Sequence, residues 1–390
     1  MRKKFGGMTM KKLLTACISA LLLCLLCVPT AAAEIPLTAR SALLMERATG
    51  EILFAQNEHE KLEPASVTKI MTLLLTMEAI DSGRIGWQDT VTVSANAASM
   101  GGSQVYLSEG EQISVEELVK SVCVSSGNDA AVALAEYVSG VTELFVDQMN
   151  NRAKELDMND THFVNCTGLT ATGHVTSAYD IALMSRELLL HHPTIRSYTT
   201  IWTDTIRNGT FGLSNTNKLV RYYDGCTGLK TGYTASAGYC MSATAEKDGM
   251  ELIAVVMKGE TADKRNDDAR ALLNYGFSAY TVADIVPAEP LPQLPVSGGT
   301  ADAIPLKLPE EGCSVLTEKG AADSLTQTLI LPAQITAPVA AGDRVGELTV
   351  YSGETELLRI PILAAGSAEK LTWGQTFVRL ARGLLFLSET

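Results

Sequence analysis

The sequence predicts an α+β fold with strands and helices segregated along the chain, on the strength of three observations. Two short β-prone runs precede a long block of helical periodicity that lasts to about residue 190. From about residue 195 to 257 the pattern changes to short β runs, and a helical stretch closes the region. That order gives an antiparallel sheet with a helical block, not the alternating strand and helix order of a parallel sheet.

The elements follow in chain order. Residues 1–33 carry Arg2, Lys3, Lys4, Lys11 and Lys12, an apolar run to Val28, then Pro29 and three alanines. A basic start, a short apolar core and a small-x-small site predict a Sec-type signal peptide cut after Ala33, and hence a body outside the cytoplasm. Runs 42–46 and 51–56 flank Ala48-Thr49-Gly50 as a hairpin. Pro64 just before, and Gly83 just after, an apolar stretch to Ile80 mark a helix start and stop. Helices are expected at 114–122, 128–138, 141–156 and 177–190, with the turn Ser125-Ser126-Gly127 between the first two. The clearest later β runs are 228–231, 238–243 and 252–257, followed by a helix over 262–275. Pro287, Pro290, Pro292 and Pro295 break both kinds of element and mark a boundary. Alternating runs within 296–366 then predict a small all-β domain. In the last twenty residues Trp373, Phe377, Leu380, Leu384 and Leu387 fall on one helical face, with Arg379 and Arg382 elsewhere. About 15 residues with two arginines are too few to cross a bilayer and suit its surface. The expected organisation is therefore 1–33 signal, 34–281 first domain, 282–366 β domain and 367–390 amphipathic helix.

Composition narrows the function classes. The 390 residues carry a net charge of −13, and removal of the first 33 leaves 26 Lys+Arg against 44 Asp+Glu, or −18. Such a balance argues against nucleic-acid binding, which needs clustered cations facing phosphates. Five cysteines remain beyond the signal (Cys123, Cys166, Cys226, Cys240, Cys313), an odd and widely spaced set that is not a disulfide framework. If a turn lies near residue 233, Cys226 and Cys240 fall opposite each other on paired strands. The histidines lack metal-ligand spacing and are expected in loops or on the surface; no metal or cofactor is called for.

The chemistry-bearing pattern begins at Ser66-Val67-Thr68-Lys69. Positions i and i+3 share a helix face, so the lysine amine can sit against the serine hydroxyl and take its proton. Alone the pattern means little, since Ser367-Ala368-Glu369-Lys370 matches it inside an expected linker. Two further elements follow in order. Ser126-Gly127-Asn128 offers a hydroxyl and an amide at a turn between helices, and Lys230-Thr231-Gly232 offers an ammonium and a hydroxyl on a strand. Ser94-Ala95-Asn96 imitates the second element but lies in an expected short β run.

The ordered triple resembles the active-site serine penicillin-recognising enzymes. Four longer strings, Glu63 to Thr72, His162 to Leu169, Asn215 to Leu219 and Gly228 to Thr234, are similar to the low-molecular-mass D-alanyl-D-alanine carboxypeptidases. The resemblance implies a β-lactamase/DD-peptidase-like catalytic domain followed by a small β domain and a membrane-tethering tail. It also implies removal of the terminal D-Ala from peptidoglycan pentapeptide stems, and acylation by penicillins. By that resemblance Ser66 is the nucleophile and Lys69 its base. Ser126 sits between Lys69 and Lys230, and Asn128 orients Lys69. Lys230 and Thr231 hold the substrate carboxylate with Arg265 nearby, and Gly232 allows close approach. The backbone N–H of Tyr233 joins that of Ser66 in an oxyanion hole. Two departures are Cys166 where the family usually has Pro, and Tyr233 where some members have His. A D,D-endopeptidase of the same fold stays open, as do a class A-like β-lactamase, for which Glu155 to Asn159 matches an E-x-x-x-N pattern, and a non-catalytic penicillin sensor.

Overall fold

In the computed structural model residues 35–310 and 312–384 are described; the expected signal segment and Leu387 lie outside them. A five-stranded antiparallel sheet is built from β1 (Ser41–Glu46), β2 (Ile52–Gln56), β3 (Cys226–Thr234), β4 (Gly238–Lys247) and β5 (Met250–Gly259), in the order β2-β1-β5-β4-β3. The first hairpin thus lies beside the last strand, which brings the two ends of this region together. On β5, Ile253, Val255 and Met257 face the helical block, while Leu252 on the alternate side meets Gly276 of α6 (Ala262–Ala279). This two-residue alternation buries the central strand on both faces.

The helical block consists chiefly of α1 (Lys69–Asp81), α2 (Val115–Ser125), α3 (Asn128–Ser139), α4 (Thr142–Glu155) and α5 (Ala178–His191). Helix α1 is apolar nearly all round and buried along most of its length, as befits the centre of the block. Ser114 caps α2 by accepting from Glu117 N, and Ser177 caps α5 through Asp180 N.

Beyond α6, β6 (Tyr280–Asp284) pairs antiparallel with β7 (Ser314–Glu318). Strands β8 (Thr326–Ile330), β9 (Arg344–Ser352) and β10 (Thr355–Ala364) form the main sheet of the C-terminal part. Its inner residues Val350, Ile360 and Ile362 pack with Ile285 and Val315 in a core of their own. Helix α7 (Trp373–Leu384) follows. Its Trp373, Phe377 and Leu380 are 89%, 65% and 64% exposed, while Arg379 pairs with Asp302 and donates to Gly299 O. Among the described residues, no helix is long and apolar enough to cross a membrane.

Several local expectations are corrected. The β3–β4 turn is centred on residues 235–237, not 233, so Cys240 faces Gly232 and Cys226 faces Ala245. The two cysteines are not opposite each other, and both are thiols. Ser94 lies in no strand; it caps the short helix Ala95–Ala98. Ser367 to Lys370 is no loose linker, because Val339 N and Thr300 N donate to Ala368 O and Glu369 O at 2.9 and 2.8 Å. His174 and His192 lie in loops, as expected of them, and are buried there.

Candidate active site

The three motifs meet at the edge of the sheet where β3 passes the start of α1. Ser66 lies in a 3₁₀ turn, Ala65–Thr68, that runs directly into α1. In such a turn residues i and i+3 eclipse, so the three-residue spacing stacks Lys69 on Ser66. Lys69 Nζ lies 2.9 Å from Ser66 Oγ, 2.6 Å from Asn128 Oδ1 and 2.8 Å from Thr167 O. The amine is fully buried, and burial, with Lys230 adding to it, holds it well below the ordinary lysine range. A neutral amine has two N–H groups and one lone pair. Asn128 Oδ1 and the Thr167 carbonyl can only accept, so they take the two N–H groups and turn the lone pair toward the Ser66 hydroxyl.

Ser126 ends α2 in the left-handed conformation (φ 61°), and the chain turns at once into α3. This reversal sends the Ser126 side chain into the cleft, while Asn128, in the first turn of α3, reaches Lys69. Asn128 is held from its other side, since its Nδ2 donates to Gly101 O at 2.7 Å. Lys230 Nζ donates to Ser126 Oγ at 2.8 Å and to Thr231 O at 2.9 Å. Ser126 was expected between the two lysines, but the partners of Lys69 are Ser66, Asn128 and Thr167, and Ser126 bonds Lys230. Burial pushes Lys230 down to about 7, with Arg265 a smaller influence in the same direction.

Thr231 Oγ1 donates to Thr216 Oγ1 at 2.7 Å, which fixes its rotamer on β3. Gly232 passes so near the Ser66 turn that an added Cβ would stand 2.8 Å from Pro64 O and 2.9 Å from Ser66 N. Tyr233 is 55% exposed and packs against its cross-strand partner Tyr239, with ring centroids 4.3 Å apart and the rings tilted by 31°. Arg265, in the first turn of α6, is buried, lies over the Tyr239 ring and donates to Asn266 Oδ1. Ser66, Ser126, Thr231, Gly232, Tyr233 and Arg265 line one open cavity of about 240 Å³ together with Ser103, Thr216 and Tyr239.

The last three residues, and Thr167, were given no role in the sequence reading. Thr216 and Thr167 sit within strings already singled out, but a backbone carbonyl acceptor leaves no side-chain signature. Ser103 and Tyr239 had no signal. Cys166 packs in the core, and its carbonyl accepts from Thr72 Oγ1 at 2.7 Å, so the chain reaches Thr167 without a proline. Glu155 is an exposed partner of Arg152 at the end of α4 and does not line the cleft.

The likeness to known proteins runs through both folded parts. Residues 28–261 match the family model described as D-alanyl-D-alanine carboxypeptidase, and residues 288–370 match that of the penicillin-binding protein 5 C-terminal domain. D-alanyl-D-alanine carboxypeptidase DacF of Bacillus subtilis is 41% identical over 342 residues, covering 86% of this chain and 87% of that protein. The crystal structure of penicillin-binding protein 6B from Escherichia coli superposes with a TM-score of 0.70 at 33% identity, covering 86% of this chain and 98% of that one. Penicillin-binding protein D2 from Listeria monocytogenes, solved in an ampicillin-bound form, gives a TM-score of 0.58 at 33% identity over 63% of this chain and 99% of its own. With its Ser66 turn, buried lysine and β3 wall brought together, and matches spanning most of its length, the chain belongs to the D-alanyl-D-alanine carboxypeptidase family.

Proposed function

We propose that the chain removes the terminal D-Ala of peptidoglycan pentapeptide stems through an acyl-enzyme on Ser66. The observation that carries this reading is the placement of Lys69: two acceptors occupy its N–H groups and its lone pair is left to the Ser66 hydroxyl. Lys69 takes the hydroxyl proton as Oγ attacks the carbonyl of the penultimate D-Ala. The backbone N–H groups of Ser66 and Tyr233 receive the developing oxyanion, each worth roughly 3 kcal/mol in sites of this kind. Ser126, hydrogen-bonded to Lys230, passes a proton to the leaving amine. Lys230, Thr231 and Arg265 receive the terminal carboxylate, a role supported by buried Arg265 in the lining of a cavity that includes no acid, and by buried Lys230 bonded to Ser126 of the same lining. Water then releases the shortened stem. The same cleft would be acylated by β-lactams, whose strained amide occupies the place of the D-Ala-D-Ala bond.

Incubation with a pentapeptide stem should release D-Ala, read by mass spectrometry, and Ser66→Ala should reduce release to background. Equal release by both proteins would sink the mechanism. Cleavage of a cross-linked stem dimer at a comparable rate would move the assignment to an endopeptidase.

The same reading places residues 34–281 as the catalytic domain of an exported enzyme. Residues 282–366 form its β domain, and 367–390 hold it to the outer face of the cell membrane. Support comes from the three large apolar side chains that α7 exposes on one face. Removal of residues 372–390 is expected to abolish co-sedimentation with phospholipid vesicles and leave D-Ala release from a soluble peptide unchanged. Persistent sedimentation would reject the tail as the anchor.

A further inference from the structure

His174 lies outside the three motifs, yet its ring joins the two segments that hold the nucleophile and its base. Val164 N donates to His174 Nδ1 at 2.9 Å, so Nδ1 is the unprotonated nitrogen and Nε2 carries the proton. Nε2 then donates to Thr68 Oγ1 at 2.8 Å, and Thr68 Oγ1 donates to Ala65 O at 2.8 Å. Each bond in this series has one available direction. Ala65, immediately before Ser66, is buried with φ at 49°, a left-handed conformation that a non-glycine residue keeps only where its surroundings enforce it. At the other end, Val164 begins the turn that delivers the Thr167 carbonyl to Lys69. The ring is enclosed beside Phe163, and burial, with His162 adding to it, lowers its pKa to about 4. It is therefore neutral at the pH where the enzyme works, as the series requires. A protonated ring would set Nδ1–H against the Val164 N–H.

We propose that His174 is a positioning residue for acylation: it fixes the left-handed turn that places Ser66 and, through Val164, the loop whose Thr167 carbonyl orients Lys69. The proposal rests on the reading of Ser66 as the acylated nucleophile.

The two arms separate by substitution. Asn at 174 puts an acceptor where Nδ1 was and loses the reach to Thr68, whereas Gln carries a donor toward Thr68 and loses Val164. Thr68→Val removes the hydroxyl at nearly constant shape, and Thr68→Ser restores it. The test is stopped-time labelling of the full chain with a fluorescent penicillin, alongside thermal melting and the concentration dependence of labelling. His174→Asn and Thr68→Val should each slow the acylation step roughly tenfold to a hundredfold, with reversible affinity changed by less than about threefold. Thr68→Ser should return to within about threefold of the parent chain. If His174→Asn does not fold, the Thr68 pair decides. A parent chain that does not label at Ser66 counts against the nucleophile assignment itself. A parent that labels normally while the folded His174→Asn and Thr68→Val chains label at the same rate overturns the positioning role, as does a loss of label that only tracks the unfolded fraction.

Discussion

Lys69→Met should leave a folded protein whose acylation by a β-lactam is slower by about 10³-fold, within the range a general base supplies. That factor corresponds to ~4 kcal/mol of barrier. Met fills the same buried volume and relieves the burial of the amine, but it strands the Asn128 Oδ1 and Thr167 O acceptors, so the two effects oppose and the melting temperature should change only modestly. In the parent chain the sign of the pH dependence follows from the two lysines. Lowering the pH protonates Lys69 and removes the base, so acylation falls on the acid side. Raising the pH through about 7 discharges free Lys230 and weakens carboxylate binding, which appears in KM. A bound carboxylate draws Lys230 back toward its ordinary range. The alkaline limb of kcat should therefore lie above that of kcat/KM. Coincident limbs, or a Lys69→Met chain that labels at the parent rate, would remove Lys69 and Lys230 from these roles.

Gly168→Ala should cost ~3 kcal/mol or more in stability, and at least about a hundredfold in acylation, because strain and overlap act together. Gly168 has φ at +82°, and its N–H donates to Asn165 Oδ1 at 2.7 Å. A Cβ there would overlap the Ala65 carbonyl and stand 2.9 Å from Ser66 N. Relief requires the Thr167 loop or the Ser66 turn to move, and Lys69 touches both. Gly209→Ala is the control: its φ is +86° but nothing lies within 4 Å of the added carbon. That substitution carries the backbone strain alone, about 1 kcal/mol, and should leave acylation at the parent rate. Equal effects of the two substitutions, by melting and by labelling, would show that the contact with Ala65 does not matter.

The parts of this arrangement that the sequence makes legible are those in which side chains carry the pattern. Hydrophobic periodicity locates α1 and the helices after it, and the ordered Ser66, Ser126 and Lys230 motifs indicate which turns and strand converge. What stays hidden is held by the backbone. The Thr167 carbonyl acts through an atom that every residue has, and Gly168 is needed for a contact with a segment about a hundred positions away. The β3–β4 turn was misplaced because Ala235-Ser236-Ala237 has none of the Gly, Asn or Asp that usually mark a hairpin. Its geometry comes instead from Thr234 Oγ1, which accepts from Ala237 N at 3.0 Å, and from the bond between Ser236 and Glu63. His174 lies in a loop, as expected, but a lone histidine carries no burial signal; only the fold brings Thr68 and Val164 to its two nitrogens.

The burial that sets the lysines also governs the sulfur chemistry of the cleft. Cys123 and Cys166 lie close enough to Lys230 and Lys69 to interact with them electrostatically, yet burial pushes both thiols up to about 12. At neutral pH both positions therefore stay thiols, and the thiolate is the form that oxidants and alkylating reagents attack. The protein can therefore keep sulfur beside Lys69 and Lys230 with little exposure to sulfenic acid or mixed-disulfide formation. Loss of activity under oxidative stress would then have to begin elsewhere, at exposed side chains or through transient opening of the core.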